Sequence, residues 1–531
     1  MAGKTMRLDY KTLGLAAGLL VAVPGLSQDH PAATPAPETG AVQPHHDHSD
    51  TAAPKVPELL TGYGNGGFAV STQVPQAQAF FSNGMELAMA FAHKASIQAM
   101  GEAVRLDPAC AMCRWGLAYT SGPTINYGAD RSERADLFAM LETGEKLAKK
   151  SGTKREKDLI KTLRKRYRPG STIEKRDGDY ARDMVKLTAK YPDDNMIAVL
   201  AADALIQAAT DTTYKADAMK AVGLLEVVLV RAPNDTPAIH FYIHATEIAG
   251  VPARAEPFAD KLGTLAPRAS HLVHMPSHTY YWVGRYQDAA TVNARAVEIG
   301  KENAIRLGMP EPEGVWGLPY HSHNVIFGLG GALMAGDAKI GLELGRPLVD
   351  RSEKREEGGS IDQLLASAGY FAIARFDEPA AVLARPEPKL EYLKAAWHYA
   401  RGEVFARQGD LKGLQAEIDA ITVPDLTKSM AKPADQMVVI VRQVLIGRKA
   451  MAERRWDDAA VAFRLAAETE ETDDFMRFSD PPAFWYPVRR DLAAALLSAD
   501  DKAGALLEID ASLKLRPKDP VAMALRAQIT G

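Results

Sequence analysis

The sequence predicts an all-α protein, a right-handed solenoid of paired helices with loop insertions over its concave face. Three observations carry that expectation. Matching residues recur 34 positions apart, as Pro233 and Pro267 do, the period of a helix-turn-helix repeat closed by proline. Small and large residues alternate at the spacing that crossing helices need. No sustained apolar/polar alternation suggests a sheet.

The chain has 531 residues and is 47% hydrophobic, enough for several domains or one long array with an ordinary soluble core. Its start reads as a secretory signal over residues 1–27: Lys4, Arg7 and Lys11 form a basic region, Leu13 to Val23 is apolar, and Gly25-Leu26-Ser27 offers small residues for cleavage. The apolar stretch is too short to span a bilayer, for which about 20 residues are needed, so export to the periplasm or outside is expected, without stable membrane insertion. The net charge of −4 becomes more negative once that basic region is removed, which argues against nucleic acid as a partner. Residues 28–58 are rich in Pro, Ala, Thr and His, a leader unable to bury a core, and carry His45, His46 and His48. The solenoid is expected over 59–531.

Within it, Phe80, Gly84, Leu87, Ser96, Met100, Ala103 and Pro108 fit one repeat. Cys110 and Cys113 form CAMC, the only cysteines. A local bridge is open to them in an oxidising compartment, but helical i, i+3 spacing strains it, so two buried thiols are expected. The basic run from Lys146 to Arg168 reads as exposed helix faces. A further copy uses Gly284, Ala289 and Ala296, another Gly447, Ala459, Phe463 and Ala466, and the last ends at Pro517. Windows closing at Pro192 and around Gly402 and Gly409 match less well. Gly/Pro-rich breaks at Ser121–Gly128, Met309–Pro319 and Asp480–Pro487 are placed to cover the groove.

The chemistry is concentrated in histidine. Seven of the 13 histidines lie between 240 and 323. His240 and His244 form one i, i+4 pair, and His274 and His278 repeat it 34 residues later. Such a pair presents both rings on one helix face, and neighbouring repeats pack about 8–10 Å apart, so four rings can converge. Imidazole nitrogen suits copper, zinc and iron, and copper stands first in the affinity order for nitrogen sites. The expected metal ligands are His240, His244, His274 and His278 around one ion, with His271 and His323 as further ligands; a dinuclear centre is also open. Glu247, i+3 from His244, is the candidate catalytic group, as ligand, support for a ring nitrogen, or general base. Met275 offers a soft ligand or core packing. The residues inside both pairs lack the glutamate of HExxH, which argues against a zincin protease.

Several blocks resemble a family of large bacterial tetratricopeptide proteins: LDPACAMCRWGLAYTSGPTIN (106–126), HFYIHATE, HLVHMPSHTY, YHSHN (320–324), HYARG (398–402) and PPAFWYPVR (481–489). The resemblance spans about residues 75–525 and implies a tetratricopeptide-type α-solenoid, with no reaction assigned. Residues matching its blocks are His93, Trp115, Asn126, His240, His244, Glu247, His271, His274, His278, His323, Asn324 and Trp485. The chain departs from the pattern at Ile326, where a second histidine is usual, and at the upstream His321.

Two readings of function follow. One is an exported metalloprotein whose groove holds a transition metal and acts oxidatively on, or carries, a small ligand. The alternative is a metal-free periplasmic scaffold that binds peptides or proteins, with the histidines as polar contacts.

Overall fold

The computed structural model describes residues 57–126, 134–309, 313–478 and 480–531. The expected signal peptide, almost all of the leader, and His45, His46 and His48 lie outside the described residues. Among those described, the regular elements are all helices, from Pro75–Met89 to Pro520–Thr530, most of them packed on their neighbours in sequence. No helix among them is long and apolar enough to cross a membrane.

Local chemistry sets the repeat. Gly336 and Gly409 end helices in the left-handed region, at φ of 78° and 72°, where a Cβ is penalised. The next residue in each case, Asp337 or Asp410, caps the following helix by accepting a backbone N–H. Thr153 and Glu156 form a capping box at Lys154–Arg166. The helix Thr236–Ile248 begins at Asp235, which accepts from the Ala238 N–H, followed by Pro237 in the first turn. Its residues from Thr236 through Thr246 are all buried, because packing surrounds it on every side.

Both ends of the array return to its middle. Asn65 and Thr236 exchange backbone-to-side-chain hydrogen bonds of 2.9 Å in both directions, and the Arg268 N–H donates to the Gly62 carbonyl at 3.0 Å. From the other end, the Tyr286 hydroxyl donates to the Pro517 carbonyl at 2.8 Å. That carbonyl sits so close to Gly284 that a Cβ there would lie 2.2 Å from it. The C-terminal end, through residues 514–517, forms part of the wall of a cleft of about 1070 Å³. The helices pack around two large hydrophobic clusters, one including Phe91, Leu272 and Tyr320, the other Tyr281, Phe327 and Phe484.

Three expectations change. Cys110 and Cys113 form a disulfide, not two thiols: Cys110 is the cap of Ala111–Thr120 with extended backbone, and this brings the Cα atoms to 5.3 Å, within bridging range. Arg166 in the basic run is buried and paired with Asp177 at 3.1 Å. Of the three breaks, the first and third line the cleft through Pro123–Asn126 and Asp480–Pro482. The middle one instead packs Trp316 edge-on against His321, ring centroids 4.7 Å apart.

Candidate metal centre

Six histidines meet at the cleft floor, in two groups of three. His240, His244 and His271 each offer a ring nitrogen within 4.8 Å of the others, and so do His274, His278 and His323. Thr236–Ile248 supplies the first pair and Ser270–His274 adds His271; His274 then opens the second group, joined by His278 from Pro276–Val283 and His323 from His321–Ala335. The two i, i+4 pairs therefore do not share one point. His271 lies one turn before His274 and reaches the first pair, while His323 arrives from the next repeat to complete the second.

The shortest contacts have the dimensions of ligand pairs. The Nε2 atoms of His240 and His271 are 3.1 Å apart, and those of His274 and His278 are 2.9 Å apart. Two nitrogens bound about 2.0–2.1 Å from one ion, at angles between square and tetrahedral, would lie about 2.8–3.4 Å apart.

The opposite face of three rings is held. His240 Nδ1–H donates to the Met89 carbonyl at 2.7 Å. His274 Nδ1–H donates to Asn293 Oδ1 at 2.6 Å, and the amide is oriented by its own N–H to the Ala289 carbonyl. His278 Nδ1–H donates to Glu247 Oε2 at 2.8 Å and lies 3.1 Å from Asp480 Oδ1. An acceptor at Nδ1 fixes the tautomer that leaves the Nε2 lone pair facing the centre, the arrangement that supports metal-bound imidazole. Two further ring nitrogens, His244 Nε2 and His271 Nδ1, are buried with no hydrogen-bond partner.

Burial sets the charge. It pushes His240 and His323 down to about 3, and His244, His271 and His274 well below the ordinary imidazole range, with neighbouring imidazoles adding to the effect. All five are therefore neutral at neutral pH, the state a metal ligand needs. His278 differs: burial pulls it down, but Asp480 and Glu247 outweigh this and lift it to about 9. Without an ion, the protonated His278 donates Nε2–H to His274 Nε2 at 2.9 Å. Asp480 is 48% exposed, its open face turned into the recessed cleft. Desolvation there, with the Glu247 charge, outweighs the pull of His278 and raises its carboxyl to about 7.

Glu247 has both oxygens occupied, since Oε1 accepts the Trp282 indole N–H at 2.8 Å while Oε2 holds His278. It sits behind the second triad, bordering the cleft. Together with His278 and Asp480 it forms a third potential ligand set, but one that needs the same Nδ1 that donates to the carboxylates. His244 and His323, one from each triad, line the cleft.

An aromatic ring packs on each triad. Phe91 lies 4.5 Å from His240 and 4.9 Å from His271; Phe327 lies 4.6 Å from His278 and 5.1 Å from His274. Tyr320 packs on His271 at 4.4 Å. Phe91 and Tyr320 hold φ of 54° and 68°, left-handed conformations that cost about 1–3 kcal/mol for such side chains, and both sit against the same triad.

Other residues singled out by sequence fall around the centre. His93 and Asn126 both approach the Tyr320 hydroxyl, at 3.3 and 3.2 Å. Asn324 donates to Ser270 Oγ at 3.0 Å. Trp115 stacks on Tyr119 in the core, Trp485 packs on Tyr486, and Met275 is core as well. Ile326 lines the cleft, while His321 stands outside both triads. Sequence reasoning missed Asn293, Phe91, Phe327, Trp282 and the Met89 carbonyl, none of which carries a local signal. Asp480 lies at the head of a loop already marked as a groove cover.

No family model matches the chain, and no curated protein does. Solved structures with similar helical arrangements include the APC/C hetero-tetramer Cut9-Hcn1 (TM-score 0.30, 11% identity, covering 86% of this chain and 76% of that one). The human IFIT1 dimer with m7Gppp-AAAA gives a TM-score of 0.29 at 12% identity, with 84% and 91% covered. Yeast Tom70 gives 0.24 at 13% identity, with 86% and 89% covered. At these scores the likenesses support no further argument, and the helical-repeat class rests on the order and packing of the helices themselves.

Proposed function

We propose that this chain is an exported metalloprotein whose two histidine triads hold a pair of transition-metal ions, copper first and zinc or iron after it, for oxidative chemistry on a small substrate in the cleft. The observation that carries the reading is the pair of buried Nε2–Nε2 contacts at 3.1 and 2.9 Å, combined with acceptors fixed behind His240, His274 and His278. The same distances fit N–H···N hydrogen bonds; what favours an ion is that three rings anchored outward at Nδ1 all turn Nε2 toward the centre, beside two more ring nitrogens buried without partners.

When bound, a copper pair would supply one-electron exchange with substrate and with an oxidant of the dioxygen class. The chain's own part is to hold six imidazoles at fixed angles, to keep five of them neutral, and to leave only the His244 and His323 edges open to the cleft. A cleft of about 1070 Å³ is of the size used for small-molecule ligands.

Elemental analysis of the chain purified without a histidine tag and reconstituted with copper tests the reading; two ions per chain are expected. Metal-free protein after reconstitution, together with chelator-insensitive capture of one protein partner, would instead favour the scaffold reading.

A further inference from the structure

The cleft wall beside Trp282 carries a cation without a counter-ion. Arg516 is only 8% exposed, and it lines the cleft. Its guanidinium carbon lies 4.9 Å from the centre of the Trp282 ring and 5.3 Å from that of Tyr281. Nη1 donates to the neighbouring Leu515 carbonyl at 2.7 Å, while the buried Nε has no acceptor. Among the described residues no carboxylate stands within ion-pair distance of it. Two other buried arginines are treated differently: Arg166 pairs with Asp177 at 3.1 Å and Arg490 with Asp519 at 3.0 Å.

Two buried carboxyl groups on this side of the molecule are not available to Arg516. Asp519 is taken by Arg490, and Glu470 accepts the Val488 N–H at 2.9 Å. Burial raises the Glu470 carboxyl to about 8, so at neutral pH it is largely uncharged. A buried guanidinium is costly unless paired, and its planar fork matches a carboxylate. With Lys514 exposed at the rim, one buried positive charge suits one negative charge. Beyond Arg516, the Trp282 indole leads through Glu247 to His278, and Phe484 and Ile326 give the cleft apolar surface.

We propose that Arg516 anchors an anion subsite, and that the cleft takes small monocarboxylates with an apolar, aromatic-sized body, the carboxylate on Arg516 and the body lying along Trp282 toward His244 and His323. This names the substrate class of the metalloprotein reading and rests on that reading only for the ligand's direction toward the triads.

The test uses the full chain at pH 7.5, titrated calorimetrically with benzoate, phenylacetate and 3-phenylpropanoate and with the primary amide of each, in the wild type, R516Q and R516K, with metal content measured in every sample. At least one acid is expected to bind about tenfold tighter than its amide, the scale of one charge-assisted pair. That preference should fall to within about twofold in R516Q and be partly restored in R516K, with metal content unchanged. Equal affinity for acid and amide throughout the wild-type series, including no binding of either, overturns the subsite, as does a preference that survives in R516Q. Were R516Q to unfold, the wild-type preference and its reduction in R516K still decide. An Arg516-dependent preference in a chain that takes up no metal upholds the subsite and sinks the metal reading, so the two failures are distinguishable.

Discussion

At the scale of single residues, the six imidazoles divide by what holds them. His244 and His323 face the cleft, and each belongs to a different triad. His244→Ala and His323→Ala should therefore each remove about one ion of the pair, since a site left with two imidazoles loses one of the three protein ligands usual at an open site. His398→Ala should change nothing, because His398 donates to Glu417 at 2.7 Å within its own repeat. Elemental analysis of the three variants beside the wild type checks this, and equal metal in all four would reject the triads. Glu247→Gln leaves one acceptor oxygen for two donors, His278 and Trp282, and removes the charge; about 10–100-fold weaker metal affinity is expected, the usual effect of losing support behind a ligand, measurable by competition with a chromophoric chelator.

The same residues set a pH window for the ion-free chain. Five imidazoles have folded-state values depressed below the ordinary value near 6.5, so the unfolded chain binds more protons than the folded one in mild acid. Their contribution is complete above about 6.5 and is lost as pH falls below it. His278 has the opposite sign: lifted to about 9, it stabilises below its unfolded value and loses that contribution as pH rises through about 9. Asp480 and Glu470, with carboxyls raised to about 7 and about 8, lose stability over the same rise in pH and oppose the imidazoles on the acid side, whereas above pH 7.5 the loss at His278 is unopposed. The chelated protein should therefore lose stability from pH 7.5 to pH 9.5; urea midpoints at these two values in chelator test the sign, and a higher midpoint at 9.5 would contradict it.

At the scale of elements, glycines let the histidine-bearing helices approach. A Cβ on Gly331 would lie 2.7 Å from the Ala290 nitrogen and 2.9 Å from the Tyr286 carbonyl oxygen. These are backbone atoms of Tyr286–Arg306 that cannot give way as a side chain would. Gly328 plays the same part against Asn293, whose Cβ a new Cβ would meet at 3.0 Å, and Asn293 holds His274. Gly331→Ala should cost about 1–3 kcal/mol by overpacking, read as a lower denaturation midpoint. Because the displaced helix carries His323, loss of metal from the second triad should accompany it while the first is retained. The seating of His321–Ala335 thus fixes both packing and ligand placement.

At the scale of the whole molecule, both ends of the array return to its middle, and the C-terminal one walls part of the cleft through residues 514–517. The Asn65–Thr236 bonds and the Tyr286–Pro517 bond join segments 171 and 231 residues apart. Tyr286→Phe removes one such tie at about 1 kcal/mol. Faster hydrogen exchange is expected in the Pro520–Thr530 helix and around Arg516, with the Thr236–Ile248 helix still protected. Uniform exchange changes across the chain would show that the ends do not close independently.

Helical class, repeat period and the identity of the histidine-bearing repeats are local properties. Caps such as Asp235 and Asp337, left-handed glycines such as Gly336, and i, i+4 pairs on one face act within a few residues, so the sequence alone determined them. It also marked all six imidazoles of the triads. Their partition was not legible: the 34-residue interval suggests two pairs facing one ion, but it cannot show that His271 turns back to the first pair or that His323 reaches the second from the next repeat. The Met89 carbonyl behind His240 lies 151 residues away in sequence, and Asp480 reaches His278 from a loop 202 positions further along. Such contacts follow from the curvature of the array, a sum of small rotations between repeats that no single residue encodes. Only the tertiary structure decided that the imidazoles form two groups of three, that a cleft borders them, and that Arg516 is buried beside it without a counter-ion.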